Sequence, residues 1–103
     1  SYLLERVTIK DIFYAGILFD DAENFVVELK LCVVASPVGP GNEGRAILFE
    51  DSDEEDQTKL NTVILKRSCV GGVVNLGEST NVVRGRTTSP RSPLCRFRGY
   101  RLP

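Results

Sequence analysis

Residues 25–34 constrain the fold of this chain more than any other stretch. Phe25, Val27, Leu29, Leu31 and Val33 fall on one side of an extended backbone, and Val26, Glu28, Lys30, Cys32 and Val34 on the other. A period of two is the repeat of a β-strand, whose successive side chains point to opposite faces. The stretch therefore predicts a strand with one apolar face and one mixed face. It stops at Ser36-Pro37-Val38-Gly39-Pro40-Gly41, where the prolines remove amide donors and no regular element continues.

Further short strands are expected along the chain. Residues 6–19 read as one or two strands broken near Asp11 or Gly16, and the turn Asp20-Asp21-Ala22-Glu23-Asn24 separates them from Phe25. Residues 45–49 and 59–66 follow, with Leu60, Thr62 and Ile64 alternating with Asn61, Val63 and Leu65. After Gly71-Gly72, residues 73–76 and 81–84 read as a hairpin around Gly77-Glu78-Ser79, and residues 94–100 as a last strand. Residues 3–12 are not expected to be helical, because Val7, Thr8 and Ile9 lose side-chain freedom in a helix. No internal repeat is read in the sequence. Seven or eight short strands with turn signals between them predict an all-β sandwich or jelly roll.

Composition agrees with this class. Val, Leu and Ile dominate a hydrophobic fraction of 42%, and stiff branched side chains suit strands. At 103 residues the chain is read as a single domain spanning 1–103, long enough for one core. It begins at Ser1, which suggests an excised or processed domain. No apolar run approaches the roughly 18–20 residues of a helical membrane span, so no membrane partner is expected. Cys32, Cys69 and Cys95 lack metal-ligand spacing and are expected to be reduced thiols filling sheet positions.

The absent residues bear on function. The chain has no histidine, hence neither the usual general base nor the commonest transition-metal ligand. Glycine pairs occur without a following helix to cradle phosphate. No catalytic residue, metal ligand or cofactor site is assigned, and the chain is expected not to be an enzyme.

Charge is the most asymmetric feature. Residues 1–83 hold 14 acids and 7 bases, whereas residues 84–103 hold six arginines and no acid. Within the acidic part, the loop 50–57 carries Glu50, Asp51, Asp53, Glu54, Glu55 and Asp56. Crowded like charges repel, so a fold gains nothing from them. They are read as a binding site for a strongly basic partner, with a solvated loop as the plain alternative. An EF-hand is excluded, because no glycine stands where its loop turns. Ser52, followed by Asp53, Glu54 and Glu55, fits the preference of an acid-directed kinase. The basic segment 84–103 is rich in Ser, Pro and Arg. Its Arg96, Arg98 and Arg101, with Phe97 and Tyr100 between them, are candidate contacts to nucleic acid or to another subunit.

The order of these features resembles the nucleoplasmin-like domains, found as free histone chaperones and ahead of the isomerase domain of nuclear immunophilins. Ile12-Phe13-Tyr14-Ala15-Gly16-Ile17-Leu18 is similar to their opening aromatic-glycine strand, with one residue inserted before the glycine. Residues 27–36, 46–49, 50–56 and 60–65 follow the family's order of alternating strand, short apolar strand, acidic loop and apolar strand. Val73-Val74-Asn75-Leu76 and Phe97-Arg98-Gly99-Tyr100 resemble the last two strands. The Ser/Pro loop and the arginines before the closing strand depart from the pattern.

The resemblance implies an eight-stranded jelly roll that assembles as a ring-forming oligomer, a pentamer or decamer. It also implies a nuclear location and histone binding through acidic loops. The leading expectation is thus a histone, or basic-protein, chaperone domain. Two alternatives stay open: a nucleic-acid-binding module using the C-terminal arginines, and a structural jelly roll such as a viral coat or assembly protein.

Overall fold

A computed structural model describes residues 1–10, 12, 14–34, 45–53 and 55–85. Its named elements among the described residues are all β-strands. Ten short strands run in chain order: β1 (Tyr2–Glu5), β2 (Thr8–Ile9), β3 (Ile17–Asp20), β4 (Val26–Lys30), β5 (Val33–Val34), β6 (Ile47–Glu50), β7 (Thr62–Lys66), β8 (Cys69–Val70), β9 (Val73–Asn75) and β10 (Val82–Arg84). They form three sheets in the orders β1-β4-β7-β10, β2-β5-β8 and β3-β6-β9.

Every ladder in these sheets is parallel. Each strand therefore pairs with the strand three places further along the chain, and the backbone winds as a parallel solenoid. One coil lays one strand in each sheet, and β10 opens a fourth coil. A coil cannot bury its inner side alone, and stacking makes the core continuous.

The all-β expectation holds, but the antiparallel jelly-roll arrangement is corrected. Alternation along a strand reports which faces are buried, not the direction of the neighbour. The expected hairpin of residues 73–76 and 81–84 is corrected for the same reason: β9 and β10 lie in different sheets. Residues 25–34 are likewise two strands rather than one. Leu31 takes a left-handed backbone conformation, φ 55°, and turns the chain between β4 and β5.

That turn recurs. Two residues separate the first and second sheets in every coil, Arg6-Val7, Leu31-Cys32 and Arg67-Ser68, and the first of each pair has positive φ. The ladder continues through the corner, where Arg6 N–H donates to Lys30 O at 3.0 Å and Leu31 N–H to Lys66 O at 2.9 Å. The second corner residue reaches back one coil: Cys32 Sγ donates to Leu4 O at 3.3 Å, and Ser68 Oγ to Leu29 O at 2.9 Å.

The register also reveals a repeat, which corrects the expectation of none. Ile17-Leu18-Phe19-Asp20-Asp21 lies beside Ile47-Leu48-Phe49-Glu50-Asp51, pairing Ile17 with Ile47 and Asp20 with Glu50. Its period is uneven, because the other two corners differ in length from coil to coil.

Inside the coils, columns of like side chains stack. Val27 and Val63 form one column, Leu29 and Leu65 another, and Ile17, Ile47 and Val73 a third. Phe19 and Phe49 stack with ring centroids 4.8 Å apart. Leu29, Ile47, Val63 and Phe49 are buried. At about 25 cal/mol per Å² of apolar surface removed from water, such columns are the main favourable contribution to the fold. Cys32 is a buried free thiol. Cys69 is disulfide-bonded, which corrects its reading as reduced.

The corner leading back to the first sheet is held by asparagine. In register, Phe25, Asn61 and Asn81 occupy one column just before β4, β7 and β10. Asn61 Oδ1 accepts from Phe25 N–H at 2.9 Å, and its Nδ2 donates to Ala22 O at 3.0 Å. Asn81 Oδ1 accepts from Asn61 N–H at 3.3 Å, and its Nδ2 donates to Thr58 O at 2.7 Å. Backbone groups at a corner have no ladder partner in regular register, and each would be costly to bury unpaired. The amide side chain supplies both a donor and an acceptor at one point.

Candidate functional site

The same corner carries the acids. β3 ends at Asp20 and β6 at Glu50, and parallel register sets these residues side by side. The chain continues from each into further acids: Asp21 and Glu23 in the first coil, Asp51, Asp53, Glu55 and Asp56 in the second. Two coils therefore contribute carboxylates to one edge of the solenoid, and the loop expected to act alone is half of a stacked pair. Asp20 and Asp21 were missed as site residues because they read as an ordinary turn. The signal that identifies them is the Phe-Asp-Asp and Phe-Glu-Asp repeat.

The second-coil loop is fastened, not loose. Thr58, fully buried, donates its hydroxyl to Glu50 O at 2.6 Å, and its N–H donates to Asp51 Oδ1 at 2.6 Å. Thr58 Oγ1 also accepts from Ala22 N–H at 3.3 Å, tying the loop to the coil before it. Nearer the acids, Ser52 N–H donates to Asp20 Oδ1 at 3.2 Å and Asp21 Oδ1 at 3.0 Å, and Ser52 Oγ–H donates to Asp20 Oδ2 at 2.8 Å. Asp53 N–H adds a bond to Asp21 Oδ1 at 3.2 Å. Backbone and hydroxyl donors thus spread the negative charge of Asp20 and Asp21 and let carboxylates of two coils share an edge.

The acids divide by role. Asp51 holds Thr58, and Glu50 accepts a hydrogen bond from the Tyr14 hydroxyl. Asp53 Oδ1 accepts from Glu55 N–H at 2.9 Å, shaping the loop tip. Asp53, Glu55 and Asp56 are exposed. Asp51, Ser52, Asp53 and Gln57 line a shallow depression of about 280 Å³. The basic neighbours lie at the margins: Lys59 is 4.0 Å from Glu23, and the Arg45 guanidinium sits 5.4 Å from the Tyr14 ring centre. The hydrogen bond to Glu50, followed by partial desolvation and the nearby Glu50 charge, raises the Tyr14 phenol above its ordinary pKa.

Of the expected site residues, the structure brings Glu50, Asp51, Asp53, Glu55, Asp56 and Ser52 together. Glu54, Arg96, Arg98 and Arg101 lie outside the described residues. Among the described residues, no group of three or more acids or cysteines is arranged to hold a metal ion. No helix of the described residues is long and apolar enough to cross a membrane.

Comparison with protein-family models, curated proteins and solved structures finds no match to this chain.

Proposed function

We propose that this chain is a binding module, not an enzyme, whose acidic corner takes up basic protein segments such as histone tails. One observation carries the reading: parallel register sets Asp20 beside Glu50, and the chain continues from them into Asp21 and Asp51, so that carboxylates of successive coils share one edge. Charges within a Debye length of about 8 Å reinforce one another at physiological salt. A row of carboxylates with exposed members at the loop tip attracts lysine and arginine without demanding a particular sequence. The proposed role is that of a basic-protein chaperone. The ring assembly implied by the nucleoplasmin resemblance belongs to jelly-roll subunits. It is not needed here, because one copy already presents acids from two coils.

The test neutralises the exposed acids and leaves those that hold Thr58. Asp53→Asn, Glu55→Gln and Asp56→Asn together keep side-chain oxygen acceptors while removing three charges. Titration of a labelled histone-tail peptide against the native chain should give binding that weakens steeply with salt. The triple variant should bind at least several-fold less tightly and with a shallower salt dependence. Equal affinity in the two proteins sinks the proposal.

A further inference from the structure

The most unusual use of a side chain at this corner is that of Ser52. Its hydroxyl is exposed, yet it is held as a donor 2.8 Å from Asp20 Oδ2. With two bonds from its own N–H and one from Asp53 N–H, it latches the start of the acidic strap to the preceding coil. The far end is secured separately at buried Thr58, through Asp51 and Glu50 O. The strap between these fastenings can open without disturbing the core, provided that the donors at Ser52 are lost.

We propose that Ser52 is a phosphoacceptor and that its phosphorylation opens the strap. The residues that follow it, Asp53, Glu54 and Glu55, offer the acidic context that a kinase with a basic substrate groove selects. In the reaction the serine oxygen attacks the γ-phosphorus of ATP. The new O–P bond forms as the bond to ADP breaks, and the hydroxyl proton passes to the kinase base. The product has no hydroxyl donor for Asp20. It places about −1.5 to −2 charges against the Asp20 and Asp21 carboxylates. Attraction becomes repulsion at the point where the start of the strap is latched, and the exposed acids Asp53, Glu55 and Asp56 swing clear of the first coil. This deepens the basic-partner reading: phosphate adds charge and also frees the strap to follow a ligand.

The experiment uses the full chain, ATP and an acid-directed serine/threonine kinase, with the modified residue located by mass spectrometry. Hydrogen exchange then compares the two forms. The Ser52 and Asp53 amides should exchange roughly tenfold faster after phosphorylation, while Asn61 and Val63 stay protected. Ser52→Ala, which removes the hydroxyl but leaves both amides, should take no phosphate at this position and should speed exchange less. An unmodified Ser52, or a phosphorylated one whose amides exchange as before, overturns the proposal. Exchange is read with no basic partner present, so failure here is distinct from failure of histone-tail binding.

Discussion

Asn61 donates from Nδ2 to Oδ1 of Asn81 at 2.9 Å, a side-chain bond between successive coils with both residues buried. Neither residue has a role in the acidic edge, yet both fix the corner on which that edge is built. Asn61→Ala would leave Phe25 N–H without its partner and take from Ala22 O one of its two donors, the other being Lys59 N–H at 3.0 Å. An orphaned donor costs about 1–3 kcal/mol, so the variant should lose about 2 kcal/mol in urea denaturation. Asn81→Asp should also destabilise at neutral pH, because a carboxylate would face Thr58 O and Glu78 O where Nδ2 now donates. A loss under 1 kcal/mol in either variant would refute the role assigned to the column.

The aromatic stack gives a prediction about packing. Phe49 is buried and its ring lies over Phe19, whereas Leu18, between Ile17 and Phe19 on the same strand, is 45% exposed. Phe49→Ala should cost about 3–5 kcal/mol, since it removes buried area and leaves a cavity. Leu18→Ala should stay within about 0.5 kcal/mol. Equal effects would mean that the inward and outward columns have been assigned wrongly.

These two variants also mark what the sequence disclosed. Val27, Leu29 and Val63 could be placed on a buried face from alternation alone, because period two is written into every strand. Strand direction could not, since a side-chain pattern is the same beside a parallel or an antiparallel neighbour. The similarity of residues 17–21 to 47–51 was open to inspection, but coils of unequal length hid the period. Asn61 and Asn81 read as polar positions within the expected strands 59–66 and 81–84, and only the register shows that they share a column. The acids of residues 50–56 stood out by composition. Asp20 and Asp21 joined them only once the coils were stacked.

Leu60 offers a test of backbone strain. It has φ 59°, a conformation that favours Asn or Gly, and its side chain is 47% exposed. A left-handed non-glycine residue costs roughly 1–2 kcal/mol, less for Asn, whose side chain bonds locally. Leu60→Asn should therefore raise stability by about 0.5–1 kcal/mol, and Leu60→Val, branched at Cβ, should lower it. Thermal or urea melts that order the three proteins otherwise would contradict the conformation.

Gly16 marks a close approach between coils. A Cβ built there would lie 2.6 Å from Val34 Cγ1 and 2.7 Å from Ala46 O. Gly16 N–H also donates to Arg45 O at 3.0 Å, so the backbone cannot withdraw without losing this bond. Gly16→Ala should cost about 1–3 kcal/mol. If it melts with the wild type, the first and second coils are further apart than described.

Tyr14 gives the pH dependence. Its phenol donates to Glu50, and that bond, ahead of desolvation and the Glu50 charge, holds its pKa above the ordinary value of 10.0. The bond exists only while the phenol is protonated, so folding favours the neutral form. The stability it contributes is fully present below the unfolded pKa near 10 and is lost as pH rises through the higher folded value. Absorbance titration near 295 nm should therefore show a tyrosinate step displaced above pH 10 in the native chain. Tyr14→Phe should abolish that step, and Glu50→Gln should move it only part of the way back toward 10, because the amide still accepts the hydrogen bond but carries no charge. A curve unchanged by Glu50→Gln would detach Tyr14 from the acidic corner and leave Glu50 without its partner.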